Sequence, residues 1–258
     1  MTDPDPHPGG RTVQGVETSC RVLEALRELD GAGVTEVADY LGVSKATAHG
    51  HLTTLYKHEF VARDGDDYRV SLRFVDFGEH AKNGVEIHEV ATREVDKLAE
   101  RTGEVAQYMV EEHGRGVYLH KARGEDAVQT ASYTGNRKHL HCTALGKAIL
   151  AHLPEERVLA IADRHGLPEM TPDTITDRDA LLEELARVRE RGVSFDDEEV
   201  LQGLRCVAAP IISQGGELYG AISASGPVSR MKGDRFREEV PELVSGAANV
   251  IEINAHQV

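Results

Sequence analysis

In the run SKATAHGHLTTLYKH at 44–58, Thr47, Gly50, Thr54 and Lys57 recur at spacings of three, four and three. At about 100° per residue those spacings fall on one face of a helix, and Ala48, Leu52, Leu55 and Tyr56 fall on the apolar side. Such a face can read the edges of base pairs. A threonine hydroxyl donates or accepts, and its methyl can touch thymine, which suits Thr47 and Thr54. Lys45 and Lys57 suit phosphate oxygens, and His49 and His51 flank the face with ring nitrogens. Gly50 lies at its centre. A mid-helix glycine costs roughly 1 kcal/mol relative to alanine. It either admits close approach of the backbone to DNA or is a tolerated defect on an exposed face. Arg63 and Arg69, just downstream, are placed to reach a nucleic-acid backbone or minor groove.

A second group could do different chemistry. His139, His141 and Cys142 form an HxHC cluster, and His120 could approach from another strand. Two histidines two apart on a strand share a face, an arrangement that suits zinc and would make a metal-responsive protein. The alternative is chance clustering in a chain with 13 histidines. Cys142 or Cys206 could also serve as a nucleophile, with His139 or His141 as base, as in a cysteine-dependent hydrolase. No nucleophile elbow surrounds either cysteine, so no catalytic residue is assigned and no cofactor is expected.

The elements that must position these residues follow from periodicity. Val16, Cys20, Leu23, Leu26 and Leu29 make one stripe of a helix over 14–30, ended by Asp30-Gly31-Ala32-Gly33. Thr35 is expected to cap a short helix to Leu41, Gly42 to supply a left-handed stop, and Ser44 to cap the next helix. Residues 60–63 and 68–71 read as strands around an Asp64-Gly65-Asp66-Asp67 turn. Three helices and a hairpin, in that order, make a winged helix-turn-helix. Residues 72–83 read as a linker helix and 86–101 as a helix with Ile87, Val90, Ala91, Val95 and Leu98 on one face. Beyond 104 the period becomes two: EVAQYMVEE, GVYLHKA and VQTASYTG read as strands, as do RCVAAPIIS and ELYGAISASG. Helices are expected at 142–152, 155–165, 177–191 and 232–255. The fold class is α+β. The expected domains are a disordered tail at 1–11, a winged helix-turn-helix at 12–71, a linker helix at 72–84 and a larger sensing domain at 85–258.

Composition narrows the setting. The 258 residues carry 44 acidic against 29 basic side chains, a net charge of −15, which suggests a salt-in halophile such as a haloarchaeon. Residues 1–70 hold seven basic and twelve acidic residues, unusual for a DNA-binding domain. In molar salt, counterion release adds little affinity, so positive charge is worth less there. No apolar run nears the roughly 18 residues that span a bilayer, and no basic-then-apolar leader opens the chain. Three scattered cysteines, Cys20, Cys142 and Cys206, fit a reducing cytoplasm and not a disulfide scaffold.

The run VTEVADYLGVSKATAHGHLTTLYKHEFVARDGDDYRV resembles the winged helix of the IclR family of transcriptional regulators. So do LHCTALGKAILAHLP at 140–154, FDDEEVLQGLRCVAAPI at 195–211 and AISASGPVSR at 221–230. The resemblance spans about residues 12–255. It implies a GAF-like effector domain, an antiparallel sheet with packed helices. It also implies a homodimer or dimer of dimers on double-stranded operator DNA, and control of catabolic genes by a small carboxylate or sugar-derived acid. The matching effector positions are Ala144, Leu145, Asp196, Cys206, Ser223 and Ser225. Their chemistry agrees with that role: a helix start offers free N–H groups to a carboxylate, and two serines two apart on a strand face the same side. The two serines could instead only satisfy local backbone groups. Many members carry arginine where this chain has Gly50, so a family operator sequence does not transfer.

Overall fold

The computed structural model describes residues 11–255. They form two compact units that divide between Ala81 and Lys82. Residues 1–10 of the expected tail lie outside the described residues.

In the first unit, α1 (Gln14–Glu28), β1 (Ala32–Gly33), α2 (Val34–Leu41), α3 (Lys45–Lys57), β2 (Val61–Asp64) and β3 (Asp67–Val70) follow in order. The strands form one antiparallel sheet, β1-β3-β2, with Val61 opposite Val70 and Asp64 opposite Asp67. Gly42 closes α2 at φ 67°, and the Ser44 side chain caps α3 by accepting from the Thr47 N–H. The tight turn between these helices therefore rests on one left-handed residue and one cap. Two expectations change. Thr35 is not the cap of α2; Gly33 holds that position without a side-chain bond. The stripe on α1 is shifted, because Val16 and Cys20 are exposed and the core is built from Val22, Ala25 and Leu26. These three meet Val37, Ala38, Ala48 and Leu52 in one apolar cluster. The helix α4 (Arg73–Asn83) follows and buries no residue fully.

The second unit holds α5 (His88–Thr102), β4 (Val105–Glu112), β5 (Arg115–Arg123), β6 (Arg137–Lys138), α6 (Ala144–Leu150), α7 (Glu155–His165), α8 (Arg178–Arg191), β7 (Ser194–Asp197), β8 (Leu204–Ile212), β9 (Leu218–Pro227) and α9 (Val240–Ala255). A π-helical turn at Arg235–Glu239 precedes α9. The sheet order is β6-β5-β4-β9-β8-β7, antiparallel throughout. VQTASYTG is not a strand: residues 128–135 are irregular, and the edge pairing falls on Arg137 and Lys138 instead.

Alternation divides the sheet into two buried faces. Ala106, Val207, Ala209, Ile222 and Ala224 pack against α5 and α9, and Met109, Tyr118, Cys206, Ala208 and Ala221 pack against α6, α7 and α8. A sheet covered on both sides explains why β4, β8 and β9 begin or run as continuous buried stretches. The register aligns two polar rows on the α6 side. One is Asp196–Cys206–Ser225–Val105. The other is Ser194–Ala208–Ser223–Gln107–Lys121.

Candidate functional site

The exposed face of α3 is the first candidate. Ala48, Leu52 and Leu55 are buried in the core, while Thr47, Gly50, Thr54 and Lys57 are exposed, as the spacing predicts. Tyr56 departs from that reading and is half in solvent, because the core stripe is only three residues wide. A Cβ on Gly50 would meet nothing within 4 Å, and its φ is not positive. Nothing inside this unit therefore requires glycine there. The Thr47 hydroxyl lies 2.8 Å from Ser44 Oγ, and Thr54 Oγ1 donates to the Gly50 carbonyl at 2.8 Å. Both threonine hydroxyls keep acceptor capacity.

The remaining predicted contacts separate. Lys45, Lys57 and His49 are exposed on α3 and Arg69 is exposed on β3; none makes an ion pair among the described residues. His51 is turned toward α1, where its Nδ1 lies 2.9 Å from Ser19 Oγ. Arg63 is held in the wing: its Nε donates to the Gly65 carbonyl at 2.8 Å, and its guanidinium pairs with Asp66 at 3.3 Å. The free cations of this surface are thus Lys45, Lys57 and Arg69, beside a wing turn carrying Asp64, Asp66 and Asp67.

The second candidate lies where the α6 start meets the polar rows of the sheet. Thr143 caps α6 by accepting from the Gly146 N–H at 2.9 Å, which leaves Ala144 and Leu145 at the first turn. Ser194 Oγ donates to the Ala144 carbonyl and ties β7 to that turn. Asp196 is buried, and its Oδ1 accepts the Glu199 N–H at 2.8 Å. Burial, then the neighbouring Glu199 charge, pushes the Asp196 carboxyl up to about 7. Ser225 Oγ donates to Cys206 Sγ at 2.9 Å. Ser223 Oγ is fully buried and makes no hydrogen bond to an oxygen or nitrogen; its weak polar neighbour is the Cys206 thiol, which Ser225 already engages. The geometry brings Asp196, Cys206 and Ser225 into one cross-strand row, with Ser223 in the next.

Two functional-looking residues escape the spacing argument. Lys147 is 2% exposed and pairs with Glu199, itself buried at 7% exposure, whose second oxygen has no partner. Burial raises the Glu199 pKa, and Lys147 opposes that rise. The only sequence signal for this pair is a lone lysine inside the small, apolar run ALGKAILA. Glu199 is also clasped from outside: Thr174 Oγ1 donates to its carbonyl at 2.6 Å, and Thr171 Oγ1 donates to the Glu198 carbonyl at 2.8 Å.

The histidine and cysteine cluster does not assemble as the spacing suggests. His139 and His141 lie beyond the end of β6, with rings 5.5 Å apart. His141 Nε2 is 3.1 Å from the Pro168 carbonyl. His120 faces α5, where it meets Asp96 at 2.8 Å, on the other side of the sheet. No group of three metal-ligating side chains forms among the described residues. Burial pushes the Cys142 and Cys206 thiols up to about 12, so neither is a thiolate nucleophile near neutral pH.

The comparisons now bear on these surfaces. Residues 16–65 match the IclR helix-turn-helix domain, and residues 79–253 match the family described as bacterial transcriptional regulator IclR C-terminal. This chain belongs to the IclR family of transcriptional regulators. A probable HTH-type transcriptional regulator, ArcR of Halobacterium salinarum, is 35% identical over 94% of each chain. The crystal structure of Thermotoga maritima IclR covers 94% of this chain and 97% of its own, at 27% identity and a TM-score of 0.73. An IclR homologue from Microbacterium hydrocarbonoxydans, solved with 4-hydroxybenzoate, shares the fold at a TM-score of 0.80 and 23% identity over 95% and 100% of the two chains. Both matched regions are IclR regions, and the relatives named as regulators are not named as enzymes. No helix among the described residues is long and apolar enough to cross a membrane.

Proposed function

We propose that this chain binds operator DNA through α3 and the wing, and releases or re-engages it when a small organic acid enters the α6 side of the second unit. The observation that carries the reading is a completely buried Ser223 hydroxyl with no oxygen or nitrogen partner, only the weakly bonding Cys206 thiol, beside Asp196 and Ser225. A buried hydroxyl left unpaired costs about 1–3 kcal/mol, a cost that a ligand oxygen removes. Ala144 and Leu145 at the α6 start offer N–H groups to a carboxylate, and Asp196 takes a hydroxyl or a proton. On DNA, Thr47, Thr54 and His49 read base edges, Gly50 admits the backbone, and Lys45, Lys57 and Arg69 meet phosphates. Ser44 orders the start of the reading helix, with Arg63 and His51 supporting the wing and α1. The bound 4-hydroxybenzoate of the Microbacterium relative supports an acid as the ligand class. The protein works as a homodimer or dimer of dimers in the cytoplasm of a halophile and controls genes that break down the acid or its parent sugar.

The test is fluorescence anisotropy of DNA from the promoter beside its own gene, in potassium chloride, with and without a panel of small acids. Binding that one acid shifts is the expected result. Absence of specific binding at every salt concentration would falsify the reading.

A further inference from the structure

The second polar row runs past Ser223 to residues that none of the predicted effector positions includes. Gln107 is Ser223's cross-strand neighbour, and Lys121 is the neighbour of Gln107. The β-bulge between Tyr108 and Met109 sets this geometry. It leaves Tyr118 facing α6, turns His120 to α5, and returns Lys121 to the α6 side. Gln107 is buried and Lys121 half-buried. Lys121 has no carboxylate partner among the described residues. Its ammonium donates instead to the Thr130 carbonyl at 3.2 Å, to Thr130 Oγ1 at 2.8 Å and to the Ser132 carbonyl at 2.6 Å. Gln107 Nε2 donates to Ser132 Oγ at 2.9 Å.

Residues 128–134 form no backbone hydrogen bond to the sheet among the described residues. Their hydrogen bonds to the sheet face run through Lys121 and Gln107. This cover offers two backbone carbonyls and two hydroxyls to donors that a ligand oxygen could satisfy equally well, so exchange is close to neutral in hydrogen bonds. From Ser223 to Lys121 is two strand spacings, about 10 Å. An acid of two or three carbons held beside Ser225 and the α6 start is shorter than that span.

We propose that Ser223, Gln107 and Lys121 form a second subsite, which binds the hydroxylated chain of a polyhydroxy acid and thereby sets effector length. The proposal rests on the acid-effector reading above. Ser223 and Gln107 exchange hydrogen bonds with chain hydroxyls, and Lys121 trades the Thr130 and Ser132 carbonyls for the terminal oxygen of the ligand. An uncompensated ammonium next to hydroxyls suits an oxygen-rich chain and disfavours an apolar one. Burial holds the Lys121 pKa down, as expected for an ammonium without a carboxylate partner.

The experiment is a thermal-shift and calorimetric titration of the full chain in potassium chloride with glyoxylate, pyruvate, xylonate and gluconate. The two sugar acids should bind at least tenfold tighter than the two short acids. Lys121→Met and Gln107→Leu should each remove most of that difference and leave the short acids unchanged. Lys121→Arg should keep part of it. Unliganded melting temperature and promoter binding identify which variants are folded, and Lys121→Arg with Gln107→Leu keeps the test open if Lys121→Met is not. Wild-type affinity of folded variants for both classes overturns the subsite. Equal binding of short and long acids overturns it too, while the acid-effector reading stands. A wild-type protein that responds to none of the four overturns both.

Discussion

The outer face of α3 and the α6 face of the sheet are both polar, but one is open to water and the other is closed from it. On α3, Thr47, Gly50, Thr54 and Lys57 are exposed and carry few internal bonds. Water can satisfy them, so no internal contact sets their types, and the proposed DNA contact would. On the sheet, each polar group needs a partner inside the protein. Lys147 has Glu199, Ser225 has Cys206, and Asp196 has the Glu199 amide. The remainder left without an oxygen or nitrogen partner is Ser223 and one Glu199 oxygen, which the proposed ligand would satisfy. The proposed binding surfaces therefore differ in kind: free groups in one unit and missing partners in the other.

Changes on the closed face should be the more damaging. Lys147→Met leaves the Glu199 carboxylate buried and alone, and should cost about 3–5 kcal/mol in chemical denaturation. Adding Glu199→Gln should recover much of that loss. If the single variant is as stable as wild type, the pair is not buried as described. Asp196 gives a pH signature. Its folded pKa lies above the usual carboxylate value, so the folded state holds its proton more tightly. The stability this contributes is fully present below about pH 4, falls as pH rises toward 7, and is absent above it. Asp196→Asn should flatten that part of the curve; an unchanged slope would assign it to another group.

Changes on the open face should be small for stability and large for recognition. Gly50→Ala should raise helix stability by up to about 1 kcal/mol, since no atom opposes the added Cβ. If it also weakens promoter binding, close backbone approach explains the glycine; tighter binding would make it a mere defect. Thr47→Ala should cost about 1–3 kcal/mol of discrimination between promoter and unrelated DNA. Arg69→Ala should weaken both equally and lower the salt slope by about 1.

The same contrast explains what could be seen in the sequence. The α3 surface obeys a local period, and the turn chemistry of Gly42 and Ser44 announces it, so the face was legible from spacing. The limits were local too: Val16 and Cys20 extend the α1 stripe past the end of the core, and Tyr56 falls outside a narrow one. The closed face depends on pairing across long separations. Lys147 and Glu199 are 52 residues apart, and β7 is a strand because Asp196 pairs with Cys206, a pairing that the period-two reading does not contain. VQTASYTG has strand-like alternation but no free edge to join, since β6 occupies the margin beside β5. Lys121 reaches the α6 side only because a bulge shifts the alternation, which no period-two reading contains.

The claim that the two faces work in these two ways meets its most direct test in promoter binding measured by anisotropy from low to molar potassium chloride. With Lys45, Lys57 and Arg69 as the free cations, the logarithm of affinity should fall with the logarithm of salt at a slope of about −3 per winged helix. Specific binding should persist in molar salt and respond to an acid. A slope several times steeper, or specific binding that vanishes as salt rises, would contradict a reading surface with only these few free cations.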